Sequence, residues 1–215
     1  VNTAIMKRFS IAFSLAAASV AFAQYKMDMA AGAPPEVAPA FASLLQKQGI
    51  KVTGANGSVW AEVWLRSSAP SGPKSTEEGV SLPTIPHGAF LGVIQFPANG
   101  ADRRGQMIKP GVYTLRYSLH PVNGDHLGVA PQRDFAVLVP AAEDKDPNAN
   151  LGYDALMALS KKASGTPHPA VLSLSTSSAA GATPTLAKEG DHDWVINAKL
   201  GELPVALIVV GKAEG

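Results

Sequence analysis

Period-two alternation is the feature that most restricts the fold of this chain. Residues 58–66 put Val59, Ala61, Val63 and Leu65 on one side and Trp60, Glu62, Trp64 and Arg66 on the other. That is the pattern of a strand with two unlike faces. Pro110-Gly111 opens another such run, with Tyr113, Leu115, Tyr117 and Leu119 against Thr114, Arg116 and Ser118. Further strands are expected at 88–97, 134–139, 170–176, 194–200 and 204–210. The last is almost wholly apolar, which predicts a central strand covered on both faces. The runs are separated by turn residues. The 20 glycines and 17 prolines suit many short strands and oppose a helical bundle.

Two helices are predicted. Residues 39–48 carry Phe41, Leu44 and Leu45 on one face, with Gly49 placed to end the helix. Residues 150–163 carry a stripe of Leu151, Ala155, Leu156 and Leu159, with Lys161 and Lys162 favourable to the helix dipole and Gly165 as the cap. The expected fold is mainly β: an antiparallel β-sandwich over 39–215 with one inserted helix and a short N-terminal helix. Its core is expected on Tyr113, Leu115, Tyr117, Phe135, Val137, Leu207 and Val209.

The N-terminus reads as a secretory signal. Lys7 and Arg8 follow Met6, an apolar run occupies 9–20, and Ala21-Phe22-Ala23 supplies a small-x-small cleavage pattern. Cleavage is expected before Gln24, with Met6 as the start and the five preceding residues as upstream read-through. The apolar run is too short for a stable membrane anchor, and residues 24–38 are expected as a mobile leader. The destination is the periplasm or the exterior. The chain contains no cysteine, so no disulfide, thiolate metal site or cysteine nucleophile exists. Of 18 basic residues, cleavage removes Lys7 and Arg8 and leaves 16 against 17 acidic ones. A near-neutral mature chain gives no reason to expect nucleic acid or an anionic membrane as partner.

The stretch Lys109-Pro110-Gly111-Val112-Tyr113-Thr114-Leu115-Arg116-Tyr117 resembles a Pro-Gly-x-Tyr-x-Leu strand motif of an uncharacterised exported bacterial β-sandwich family. Gly124-Asp125-His126, Ser164-Gly165-Thr166-Pro167-His168-Pro169 and the closing strand pair from Asp193-Trp194 to Gly211 extend the likeness. It covers roughly residue 85 to the C-terminus. It implies a secreted β-sandwich and carries no activity or catalytic residue with it.

Two groups of side chains are candidate sites. His120, Asp125 and His126 surround Asn123-Gly124, a hairpin signal, and imidazoles with a carboxylate suit zinc or copper. A two-residue turn would set the histidines on opposite faces. A three-residue loop would make them diagonal neighbours, roughly 7–8 Å apart at the backbone. His168, between Pro167 and Pro169, is the third candidate metal ligand. The alternative is that all are loop histidines bonded locally. Trp60 and Trp64, sharing a predicted face, would stack on sugar rings if exposed; alternatively a helix covers them. Arg116 is a candidate ligand-binding residue, and Arg103, Arg104, Arg116 and Arg133 with Asp102 and Asp134 would make either surface ion pairs or an anion pocket. No Gly-x-Ser-x-Gly elbow, His-Glu-x-x-His, phosphate loop or dinucleotide fingerprint is present. The expected role is therefore a non-enzymatic module binding a small ligand, glycan or metal. The alternative is a metal-dependent hydrolase on the histidine loops.

Overall fold

A computed structural model describes residues 24–122 and 132–213. The signal segment, Asn123, Gly124, Asp125 and His126 lie outside the described residues. In chain order the elements are β1 (Lys26–Ala30), α1 (Pro39–Ala42), β2 (Gly49–Thr53), β3 (Val59–Leu65), β4 (Phe90–Phe96), β5 (Gly100–Ala101), β6 (Met107–Ile108), β7 (Gly111–Leu119), β8 (Asp134–Pro140), α2 (Tyr153–Ser164), β9 (Val171–Thr176), β10 (Thr185–Glu189), β11 (Asp193–Leu200) and β12 (Leu203–Val210). The fold is mainly β and antiparallel, with two helices among the described residues, as the alternation and turn density predict. Ten strands form one sheet in the order β1-β2-β3-β4-β7-β8-β9-β12-β11-β10, and β5 pairs with β6 in a separate ribbon. The two faces of the expected sandwich are halves of that single sheet. It curls until its edge strands β1 and β10 touch, a nearly closed, barrel-like arrangement that shields edges from outside pairing. No helix among the described residues is long and apolar enough to cross a membrane.

The interior holds the inward residues of both halves, with Val63, Ile94, Tyr113, Leu115, Leu207 and Val209 among them. Outside the curl, α2 covers Phe135, Val137 and Val139 with Leu156. The α1 segment covers Trp64, Phe90 and Val93 with Phe41 and Leu45. All seven predicted core residues are buried, but Phe135 and Val137 lie under α2 rather than in the interior. The strands buried on both faces are β4, of which only Gln95 is part-exposed, and β8, of which only Pro140 is. β12 lies between β9 and β11 as expected, yet Ala206 and Val210 are part-exposed.

Several boundaries differ from the sequence reading. Residues 24–38 are not a mobile leader: β1 pairs with β2 along its length, and Ala30 and Val37 are buried. The first helix ends at Ala42. Gly49 opens β2 instead of capping that helix, because the Trp64 indole packs against it where a Cβ would stand. Trp60 and Trp64 do not share a face. The β2–β3 register passes from Val52↔Ala61 to Thr53↔Val59, so Trp60 is an extra residue in a bulge, and a bulge re-aims its side chain. Trp60 packs on the interior core and Trp64 on the outer cluster. The predicted cap of α2 is present: Gly165 is left-handed at φ 70° and its N–H bonds Lys161 O at 2.8 Å.

Candidate functional site

The site begins with one buried carboxylate. Asp134, the first residue of β8, is fully buried. Its Oδ2 accepts the backbone N–H of Ser81 at 2.9 Å, and its Oδ1 accepts that of Leu82 at 3.0 Å and the Tyr117 hydroxyl at 2.7 Å. These bonds fasten the long loop 67–86 to the sheet and turn Leu82 and Ile85 into the core. Two backbone bonds close the loop on itself, Gly72 N–H to Thr84 O and Ser75 N–H to Pro83 O. Burial first, then the hydrogen bond with Asp134 and its charge, pushes the Tyr117 hydroxyl far above its ordinary range. It stays a proton donor, which matches the acceptor it faces.

Between this loop and the ends of β7 and β8 lies a cavity of about 440 Å³. Its apolar wall comes from Pro73, Pro83, Ile85, Pro86, Leu119 and Pro121, and its polar groups from Ser75, Glu77, His87, Tyr117, His120, Arg133 and Tyr153. Arg133 Nη2 bonds Glu77 Oε2 at 2.8 Å, Nη1 bonds Glu78 O at 2.9 Å, and Nε and Nη2 both reach His120 O, at 3.2 and 3.1 Å. His120 sits on the wall with its Nδ1 3.1 Å from Pro121 O and its ring against Phe135. His87 Nδ1 lies 3.2 Å from the Ser118 hydroxyl, and its ring leans on Tyr153 at 6.1 Å between centroids. Desolvation lowers the His87 pKa, opposed in part by a hydrogen bond to the Leu151 backbone. Burial, then the charge of Asp154, raises that of Tyr153.

The candidate residues from the sequence meet different fates. His120 lines the cavity. His168 is exposed in the loop between α2 and β9, away from the cavity wall. Ser164 Oγ donates to the His168 carbonyl at 2.6 Å, and Ser160 Oγ bonds Ala170 O at 2.9 Å, so both serines hold backbone. The tight hairpin is overturned. β7 and β8 pair Leu119 with Asp134, and His120 N–H bonds Arg133 O, a register that neither turn at Asn123-Gly124 produces. Among the described residues, no three His, Cys, Asp or Glu side chains converge as a metal site; Asp125 and His126 lie outside them.

The predicted ligand-binding trio is taken up in packing, Trp60 against the interior and Trp64 and Arg116 beneath the segments that cover the outer face. Trp60 Nε1 donates to Val209 O at 2.9 Å across the interior, and Trp64 Nε1 to Ala31 O at 2.7 Å. Arg116 is fully buried. Its Nε and Nη2 clasp both oxygens of Asp144 at 2.6 and 2.7 Å, and Nη1 reaches Gly88 O at 2.7 Å. Thr114 also donates to Asp144. Arg116 therefore fixes the loop between β8 and α2 and presents nothing to solvent. Arg104 pairs with buried Asp102, and Arg103 with Asp193. His87 and Tyr153 escaped the sequence reading. Each is one aromatic residue outside any alternating run, and only the fold brings them to one wall. Family models, curated proteins and solved structures give no match to this chain.

Proposed function

We propose that the protein is an exported binding module that holds a small, mainly apolar ligand in the cavity under loop 67–86. The observation that carries this reading is the buried Asp134 carboxylate, which holds the loop in place over a formed cavity. Small-molecule sites have this character: a concave, mostly apolar space of several hundred Å³ with a few oriented polar groups. Holding the loop in advance lowers the ordering cost of binding. The Ala21-Phe22-Ala23 cleavage pattern supports export. The exported protein is expected to begin at Gln24, and mass spectrometry of the extracytoplasmic form checks this; an N-terminus retaining Lys7 rejects it.

The cavity is tested by a calorimetric screen of small amphipathic compounds against the wild type and Pro86→Trp. Pro86 is an exposed wall residue, so an indole there fills the space without disturbing the core. Saturable binding that the substitution removes supports the reading. Binding that survives it, or none across the screen, rejects it.

A further inference from the structure

The charged groups on the wall specify the ligand further. The described residues form four arginine–carboxylate pairs, and in three of them the carboxylate side chain is 14 %, 1 % or 2 % exposed. The fourth carboxylate, Glu77, is 57 % exposed, while its partner Arg133 is 12 % exposed. The contact is a single oxygen on a single nitrogen, Oε2 to Nη2. Arg133 does not depend on it for position, because the carbonyls of Glu78 and His120 hold the guanidinium from two sides. Glu77 lies two residues before Gly79, left-handed at φ 73°, in a mostly solvent-facing stretch. Exposed ion pairs contribute little and exchange readily.

Resting on the cavity reading above, we propose that the ligand is a small monocarboxylate with an apolar body, and that Glu77 is a resident carboxylate which it displaces from Arg133. The displaced glutamate returns to water at little cost. The incoming carboxylate gains a charge-assisted hydrogen bond from a guanidinium already in place. The apolar body lies against Pro83, Ile85 and Pro86. Among the described residues, no lysine and no second arginine line the cavity, so at neutral pH they offer it one full positive charge, which matches a monoanion rather than a phosphate dianion.

The test is calorimetry of the mature chain with phenylacetate, phenylacetamide and phenethylamine, which share an apolar body and differ in charge. Phenylacetate is expected to bind at least about ten-fold tighter than the amide. Glu77→Gln removes the internal competitor and should tighten phenylacetate binding about two- to five-fold, leaving the amide unchanged. Arg133→Gln should abolish the preference; because it also loosens the loop, the exposed Glu77→Gln variant decides. Equal binding of acid and amide, tighter binding of the amine, or weaker phenylacetate binding in Glu77→Gln overturns the anion assignment and leaves the cavity standing. Failure of all three probes to bind wild type overturns the cavity reading with it.

Discussion

Arg116, on β7, and Arg133, just before the neighbouring β8, do opposite things. Arg116 leaves β7 on the outer face and is sealed, clasping a carboxylate that is itself buried. Arg133 precedes β8 and meets a carboxylate that is mostly in water. Both make several bonds to backbone carbonyls, so hydrogen-bond number does not separate them. The exposure of the acidic partner does. A desolvated pair cannot lose one member without stranding the other charge. A pair with one member in solvent can trade it. The same residue type is thus a structural clasp in one place and a candidate recognition group in the other.

The largest effect is expected where the pair is sealed. Asp144→Ala leaves the buried Arg116 without its counter-charge and removes the carboxylate to which Thr114 donates, and should cost about 3–5 kcal/mol, read as a lower denaturant midpoint. A loss below about 1 kcal/mol would show that water or another carboxylate reaches Arg116 and would erase the contrast. Next comes the carboxylate under the cavity. Asp134→Asn keeps one acceptor oxygen and opposes an N–H with an NH₂, so it should cost about 1–3 kcal/mol. Its signature is local: hydrogen exchange at Ser81 and Leu82 should rise first, and ligand binding should weaken with it. Unchanged exchange there would mean the loop is held by its buried Leu82 and Ile85 alone. Third, Glu77→Ala should change stability by less than about 1 kcal/mol. A larger loss would place that pair in the same class as Arg116 and Asp144.

The sheet was legible from the chain because strand-length apolar runs, alternating or continuous, mark most of its strands. β3, β4, β7, β8, β9, β11 and β12 all carry apolar runs. The missed strands β1, β2 and β10 read KMDMA, GIKVT and TLAKE, short and mixed. They are strands because a neighbour offers them backbone partners, which is tertiary information. Trp60 shows the limit of alternation itself, since one bulge reverses the parity of everything counted across it. The candidate site was less legible for the same reason. Loop 67–86 is rich in Gly, Pro and Ser and long for a connection, and His120 stood out by its chemistry. The bond between Asp134 and residues 81 and 82 spans some fifty positions, and no local pattern announces it. Arg116 has the opposite parity to Tyr113, Leu115 and Tyr117, which by alternation alone would put it on an outer, wet face. α2 and the loop before it cover that face.

His87 lies on the boundary between the two regions, and its titration gives the smallest and most local test. Its neighbour Gly88 lends its carbonyl to Arg116, while its own ring faces the cavity beside Tyr153. Ser118, which bonds the ring, comes from the same strand face as Arg116. Desolvation lowers the folded-state pKa below the ordinary 6.5, so the folded protein favours the neutral ring. The sign follows from proton counting. Below about pH 6.5 the unfolded chain takes up the proton more readily than the folded one. The contribution is therefore fully present above that pH and is lost as the pH falls through the lowered folded-state value. Because the side chain is exposed along one edge, the effect is expected to be small. The measurement is the denaturant midpoint of wild type and His87→Gln between about pH 5 and about pH 7.5. Wild type should lose ground relative to the variant on the acid side, since glutamine takes up no proton. Parallel curves would mean that solvent reaches the ring freely, and the cavity wall at His87 would then be more open than its contacts with Ser118 and Tyr153 imply.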